Sequence, residues 1–434
     1  MTPVYKTTKF ESSLLRESYE KIDHPSGLPI YLFPKKLSTA YAILSVKFGS
    51  VDNRFRPAPN SEPCTLPDGV AHFLEHKLFE NPDGTDALAT FSTYGADSNA
   101  YTDYTRTAYL FSCTESFSES LEELLRFVTT PYFTAESVAR ERGIIAEEIR
   151  MYADSPWDRC AERLMNGLYR CHPVRKDICG TEASISEITP ELLYDVYNTF
   201  YQLPNMALVV CGDVSAEEVL AVADKVLPHK RQPCLPILRC PEPEPKEIVS
   251  PRMREEMPVS LPILCFGFKD ADVPADPLAR SRRDAALSLV GDVLFSRSND
   301  FFGTLFEQGL ITASYSYAYS ICESFGYFGL SCEGEDPEEI RQCLLDYLED
   351  LRQSGLDSSD LERSRRVLLA DQIRAYDSTE EIANNLLAFV FEDADLFDYP
   401  NQLAAVTLEE ANARLRELFR EENLCLSVIS PVGK

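Results

Sequence analysis

The sequence predicts a two-domain α+β protein, and three observations carry that reading. Strand-like apolar runs alternate with amphipathic helical stretches along all 434 residues, a length comfortable for two domains. Around 230–260 the composition changes: Pro233, Pro236, Pro241, Pro243, Pro245, Pro251 and Pro258, with few apolar residues, describe an extended linker. Beyond that stretch the pattern of the first half recurs. The expected organisation is a first domain over 1–229, a Pro-rich linker over 230–260 and a second, homologous domain over 261–434.

In the first half, Leu28-Pro29-Ile30-Tyr31-Leu32 and Ala40-Tyr41-Ala42-Ile43-Leu44-Ser45-Val46 read as strands separated by Gly and Pro. A Pro-rich loop at Ala58-Pro59-Asn60 precedes a helix within 69–80. The Tyr- and Thr-rich stretch from Ala96 to Cys113 reads as two strands joined by a turn near Asp103. Leu121, Leu124, Leu125 and Val128 then share one face of a helix, and a longer helix runs from about Thr134, with Thr134-Ala135-Glu136 as its cap, through Tyr152. Met206 to Gly212 closes the half as a buried strand.

The second half echoes these landmarks at an offset near 220 residues: Ser112-Cys113 by Ser331-Cys332, Leu124-Leu125 by Leu344-Leu345, Ala146–Arg150 by Ala370–Arg374, and Asn205 with its strand by Asn423 with the C-terminal strand. Two diverged copies of one domain account for this series. On this alignment Glu141 becomes Arg365, Glu148 becomes Gln372, and the counterpart of the 69–80 helix, Leu287 to Val293, contains no His.

The 69–80 stretch contains His72-Phe73-Leu74-Glu75-His76. On a helix the two His stand four residues apart on one face with Glu75 beside them. Two neutral imidazoles suit Zn²⁺, and a carboxylate close to a metal-bound water can take its proton; this His-x-x-Glu-His order is the inverted zincin signature. The chain has only five His, so two at ligand spacing are a large share of a small pool. A hydrolytic zinc site usually takes a third protein ligand. Glu148 on the long helix is the candidate, and Glu141, two turns earlier on nearly the same face, could orient a ligand or steady the water. On composition alone both also read as solubilising residues of a surface helix.

Composition narrows the function classes. A net charge of −28, from 42 basic and 70 acidic residues, opposes a nucleic-acid partner. Thirteen Cys, many in apolar runs and without paired spacings, read as buried free thiols of a reducing compartment. There is no bilayer-length apolar run and no signal core after Met1, so the expectation is a soluble, cytoplasmic protein.

With these motifs in order, the chain resembles the pitrilysin/insulinase zinc peptidases. The resemblance rests on Gly69 to Glu80, on Glu141 and Glu148 seven residues apart, and on Ser98-Asn99-Ala100-Tyr101-Thr102, which looks like the family's edge strand. It implies that each domain is a mostly antiparallel sheet flanked by helices. It further implies that His72, His76 and Glu148 bind one Zn²⁺, Glu75 is the general base, Glu141 supports the site, and the strand from Ser98 to Thr102 binds an extended peptide by β-augmentation. Without the resemblance, that strand is an ordinary aromatic hairpin.

Family members often carry an Arg and a Tyr seven residues apart that hold the substrate; here Phe306 stands near the expected Arg, and Tyr315 or Tyr317 is the candidate Tyr. A two-domain chain corresponds to half of the family's four-domain chamber. The resemblance therefore implies a zinc endopeptidase for unfolded peptides or precursor leaders, paired with an inactive two-domain paralogue, with a homodimer as the alternative. A non-catalytic subunit and a small-molecule hydrolase are the competing classes; the complete motif argues against the first.

Overall fold

The structure is a computed structural model that describes residues 5–56, 61–82, 84–231 and 235–433. The expected loop at Ala58-Pro59-Asn60 lies outside these residues, as does Pro233. In the first half the elements are β1 (Lys6–Ser12), β2 (Glu17–Asp23), β3 (Pro29–Pro34), β4 (Ala40–Val46), β5 (Arg54–Arg56), β6 (Cys64–Thr65), α1 (Val70–Leu78), α2 (Ala87–Thr93), β7 (Asp97–Thr102), β8 (Thr107–Cys113), α3 (Phe117–Thr129), α4 (Ala135–Ala153), α5 (Pro156–Leu168), α6 (Glu182–Ser186), α7 (Pro190–Phe200), β9 (Met206–Gly212) and α8 (Ala216–Val226). The remainder comprises β10 (Leu238–Arg239), β11 (Arg252–Met257), β12 (Ile263–Asp270), α9 (Pro277–Phe295), α10 (Asp300–Glu307), β13 (Ile311–Ile321), β14 (Gly326–Gly334), α11 (Pro337–Ser354), α12 (Ser358–Arg374), α13 (Thr379–Phe391), α14 (Tyr399–Ala405), α15 (Leu408–Leu418) and β15 (Leu424–Pro431).

Two sheets share one topology. The first runs β1-β2-β3-β9-β4-β8-β7 and the second β11-β15-β12-β14-β13, so the five strands β3-β9-β4-β8-β7 match the whole second sheet in order. Both are antiparallel except for one parallel pair at equivalent places, β3 with β9 and β11 with β15. The α+β class and the doubling of the fold are as the sequence predicts.

The 230–260 stretch is more than a linker: β10 pairs with β5, and β11 forms an edge of the second sheet. Its alternating polar sequence, Arg252-Met253-Arg254-Glu255-Glu256-Met257, suits a half-exposed edge strand and gives no apolar run to notice.

Helices cover both faces of each sheet. On one face of the first sheet, Leu44, Leu208 and Val210 pack with Phe73 and Leu74 of α1, Leu124 of α3 and Val196 of α7. On its other face, Phe33, Tyr41 and Val209 pack against Ile382, Ala383 and Leu386 of α13, a helix from the second half. Reciprocally, Cys160, Leu164 and Leu168 of α5, from the first half, cover Ile263, Cys265 and Ile429 of the second sheet. The uninterrupted burial of β9 and β12 requires this, because a strand wetted on one face alternates apolar and polar residues.

Asn205 and Asn423 match as the sequence predicts, each donating to the carbonyl five residues back, but α4 and α12 align one residue away from the sequence alignment. Thr134 caps α4 and Asp357 caps α12; eight residues on, Arg142 donates to the carbonyls of Ile185 and Ile188, and Arg365 to those of Leu403, Ala404 and Val406. Arg365 therefore corresponds to Arg142, Glu141 to Ser364 and Glu148 to Asp371. Short apolar matches left the register free by one step, whereas a cap and a carbonyl clamp fix it.

Candidate metal centre and edge strand

Helix α1 starts where only glycine fits: Gly69 has φ of 88°, and a Cβ there would lie 2.3 Å from the Cys179 carbonyl oxygen. Nearly every residue of α1 is buried, including Lys77, whose ammonium pairs with Glu80. His72, Glu75 and His76 project from this helix. The facing α4 opens with a capping box between Thr134 and Ser137 and brings Glu141 and Glu148 to the same place.

All five expected side chains meet. Glu148 Oε2 lies 3.6 Å from His72 Nε2 and 3.5 Å from His76 Nε2. Donors bonded at about 2.0–2.1 Å to a tetrahedral Zn²⁺ stand roughly 3.4 Å apart, so these separations suit a shared metal. His76 Nδ1 is 3.0 Å from Glu141 Oε1, the outer hydrogen bond that fixes a ligating imidazole. His72 Nδ1, by contrast, is buried without a hydrogen-bond partner among the described residues. The donor set and its spacing fit zinc.

Electrostatics separate the two imidazoles. Burial, followed by the neighbouring His76, lowers the His72 pKa to about 3 and keeps that ring neutral, as a ligand must be. Burial also opposes charge on His76, but the hydrogen bond to Glu141 and the charges of Glu75, Glu141 and Glu148 outweigh it and raise its pKa. Burial raises the Glu75 carboxyl, and Glu148 adds to the rise, against the opposing hydrogen bond from Thr102 and the charge of His76. A buried carboxylate with a raised pKa is a stronger base than an exposed one.

Thr102, at the end of β7, donates to Glu75 Oε2 at 2.6 Å. The family resemblance implies a peptide-binding strand that includes Thr102; its hydroxyl also holds the candidate base. Among the described residues, strand β7, which contains Ser98 to Thr102, is the edge of its sheet, with β8 on one side only. On that strand the Ala100 N–H donates to its neighbour's Asn99 Oδ1 at 2.9 Å. Tyr101 turns to the other face, where its hydroxyl donates to Asn384 of α13.

A cavity of about 400 Å³ opens over the centre, lined by His72, Glu75, His76, Thr102, Glu148 and Cys179 among others. Cys179 is the residue that the sequence reading missed. Its sulfur and donor atoms of His72 and Glu148 all lie within 4.8 Å of one another, and burial pushes its thiol pKa far up. No spacing rule links it to α1; the close approach of Gly69 to the Cys179 carbonyl and of Gly180 to the Asp68 carbonyl brings it there.

In the second half, Phe306 is exposed, Tyr315 is buried in the core with its hydroxyl unpartnered among the described residues, and the Tyr317 hydroxyl donates to Asp292 of α9 at 2.8 Å.

Comparison with known proteins identifies the family and the fold. The family model described as Insulinase (Peptidase family M16) matches residues 61–182, and that described as Peptidase M16 inactive domain matches 187–368. The zinc protease YmfH of Bacillus subtilis, itself uncharacterized, is 35% identical over 424 residues, 97% of this chain and 98% of that one. The chain belongs to the insulinase family, peptidase family M16. A crystal structure of an M16-like chain from Alicyclobacillus acidocaldarius is 31% identical with a TM-score of 0.90, covering 99% of both chains. Pitrilysin, at 17% identity and a TM-score of 0.76, shares the fold; the match covers 99% of this chain and 46% of pitrilysin. Among the described residues, no helix is long and apolar enough to cross a membrane.

Proposed function

We propose that the chain is a zinc-dependent endopeptidase for extended, unfolded peptides or precursor leaders. The observation that carries this reading is the convergence of His72 and His76 on one Glu148 oxygen, beside a base held by Thr102 and next to an open strand edge. His72, His76 and Glu148 hold Zn²⁺, which when bound supplies Lewis-acid polarisation of a carbonyl and acidifies water. Glu75 takes the proton of the attacking water and delivers it to the departing amide nitrogen. Thr102 leaves one Glu75 oxygen free for that transfer by occupying the other. Glu141 keeps the His76 ring in the ligating orientation.

Strand β7 offers its outer edge to a peptide backbone, which explains tolerance of varied side chains. A docking strand would displace Asn99 Oδ1 from the Ala100 N–H.

The chain works in the cytoplasm as half of a chamber closed by a second two-domain chain, preferentially a metal-less paralogue that supplies the missing substrate clamp. Phe306 near the expected Arg position and the engaged or buried hydroxyls of Tyr317 and Tyr315 support that preference over a homodimer. Capture of Glu75→Gln from its native cells, followed by mass spectrometry, should recover a stoichiometric paralogue without the motif, together with trapped peptides. Recovery of the chain alone, self-associated and empty, would refute the heterodimer.

A further inference from the structure

The segment carrying Cys179 is clamped to the start of α1. Gly69 lies against the Cys179 carbonyl, and a Cβ on Gly180 would stand 2.4 Å from the Asp68 carbonyl oxygen. Lys176 Nζ donates to both Asp68 carboxylate oxygens at 2.9 and 2.8 Å, Ser184 Oγ donates to the Asp68 carbonyl at 2.8 Å, and Asp177 Oδ1 accepts from the Cys179 N–H at 2.7 Å. With both glycines at positive φ, neither backbone can be moved apart by a side chain without strain. Cys179 is thus delivered to the cavity by backbone that is fixed relative to His72.

Three potential metal donors, on His72, Glu148 and Cys179, meet in that cavity. His72 is only 7% exposed, its Nδ1 has no hydrogen-bond partner among the described residues, and its Nε2 faces Glu148 at 3.6 Å. Cys179, 5% exposed and with its thiol hydrogen-bonded to Asp177, forms with His72 and Glu148 a group whose donor atoms all lie within 4.8 Å, and His76 joins it through Glu148, 3.5 Å away. A catalytic zinc site keeps one position open for water, whereas a fourth protein donor closes it.

We propose that the Cys179 sulfur is a fourth donor to the metal of the His72–His76–Glu148 centre, so that a thiol-closed state and the water-bearing, active state exclude one another. The inference rests on the zinc reading above. Were Cys179 to ligate the metal, its S–H proton would pass to solvent and its sulfur would compete with water for the metal; release would return the proton to sulfur. The device is a self-inhibited metal centre whose activity depends on whether Cys179 is free to ligate.

Cobalt makes ligation by sulfur directly visible. The full chain is stripped of metal, reloaded with one equivalent of Co²⁺, and its near-ultraviolet absorption compared with that of Cys179→Ala and of Cys179→Ser, which keeps the side-chain size if the alanine variant fails to fold. The parent should show a thiolate-to-cobalt charge-transfer band that both variants lose, and the zinc-loaded variants should hydrolyse peptides several-fold faster than the parent. A bound cobalt without that band, or a band that survives in the variants through another of the thirteen Cys, would overturn the fourth donor and leave the zinc reading intact. Failure of the parent to bind Co²⁺ or Zn²⁺ at all would overturn both.

Discussion

The two halves of the chain fold the same five strands in the same order, yet they bury different chemistry between the helix that follows the central strand and the helix that faces it. In the first half, α1 and α4 bring together two His and three Glu, with burial opposing charge on His72 and on Glu75 and with Glu148 adding to the rise of Glu75. In the second, the corresponding helices carry Ser364, Asp371 and Asp292, the last held by Tyr317, while buried Arg283 of α9 pairs with Asp270 at 2.6 Å. The fold therefore does not need the His/Glu constellation. Its presence in one copy only is what makes it a functional feature.

That contrast can be broken most severely at the ligands. His76→Ala should abolish zinc binding and with it peptidase activity, whereas Val293→Ala, on the matching helix of the second half, should leave metal content unchanged; elemental analysis of both purified variants decides this.

The helix exchange makes the halves interdependent. Leu386→Ala in α13 and Leu164→Ala in α5 should each destabilise the protein by about 2–5 kcal/mol, because each empties a buried site beneath the opposite sheet. If the halves were independent, denaturation of either variant would split into two transitions.

Between the halves, Glu244 accepts from the backbone N–H groups of Arg170, Cys171 and His172 and from buried Lys269. Burial alone would raise its pKa, but the Lys269 hydrogen bond and the three N–H donors outweigh burial and lower the pKa to about 2. A depressed carboxylate pKa contributes stability that is present above the unfolded value and lost as pH falls through the folded one. Stability should therefore decline as pH falls from the ordinary carboxylate range toward about 2. Glu244→Ala, which leaves buried Lys269 with only the Pro245 and Glu247 carbonyls as acceptors, should cost about 1–3 kcal/mol at neutral pH, as read by urea denaturation.

The smallest expected effect concerns orientation of a ligand. Glu141→Gln should weaken zinc binding about 10- to 100-fold, as changes behind a ligating His commonly do. Ser364→Ala at the matching position should change no metal property. Equal affinities for Glu141→Gln and parent in a chelator competition would assign Glu141 to structure alone.

Much of this contrast was legible in the sequence because it is local. The His-x-x-Glu-His spacing places three side chains on one turn and a half of α1 without tertiary information, and Thr134 marks the start of the helix that carries both supporting Glu. The strands β3, β4, β7, β8 and β9 announce themselves by β-branched, aromatic and apolar runs. What was not legible depends on distant contacts. Nothing in α5 or α13 says which sheet it will cover, since an amphipathic face fits any apolar surface. The register of the repeat turned on Arg142 and Arg365 finding carbonyls some 40 residues away. Cys179 reaches the centre only because Gly69 and Gly180 let two backbones touch. Strand β11 was hidden because its pairing, not its polar sequence, makes it a strand.

The most direct test of the central claim measures metal content and peptide hydrolysis side by side for the parent chain and Glu75→Gln. One zinc per chain in both, with hydrolysis by the variant reduced about 10²- to 10⁴-fold, is the predicted result for loss of a proton-transferring base. Equal hydrolysis by the two, or hydrolysis by a parent that holds no zinc, would contradict it.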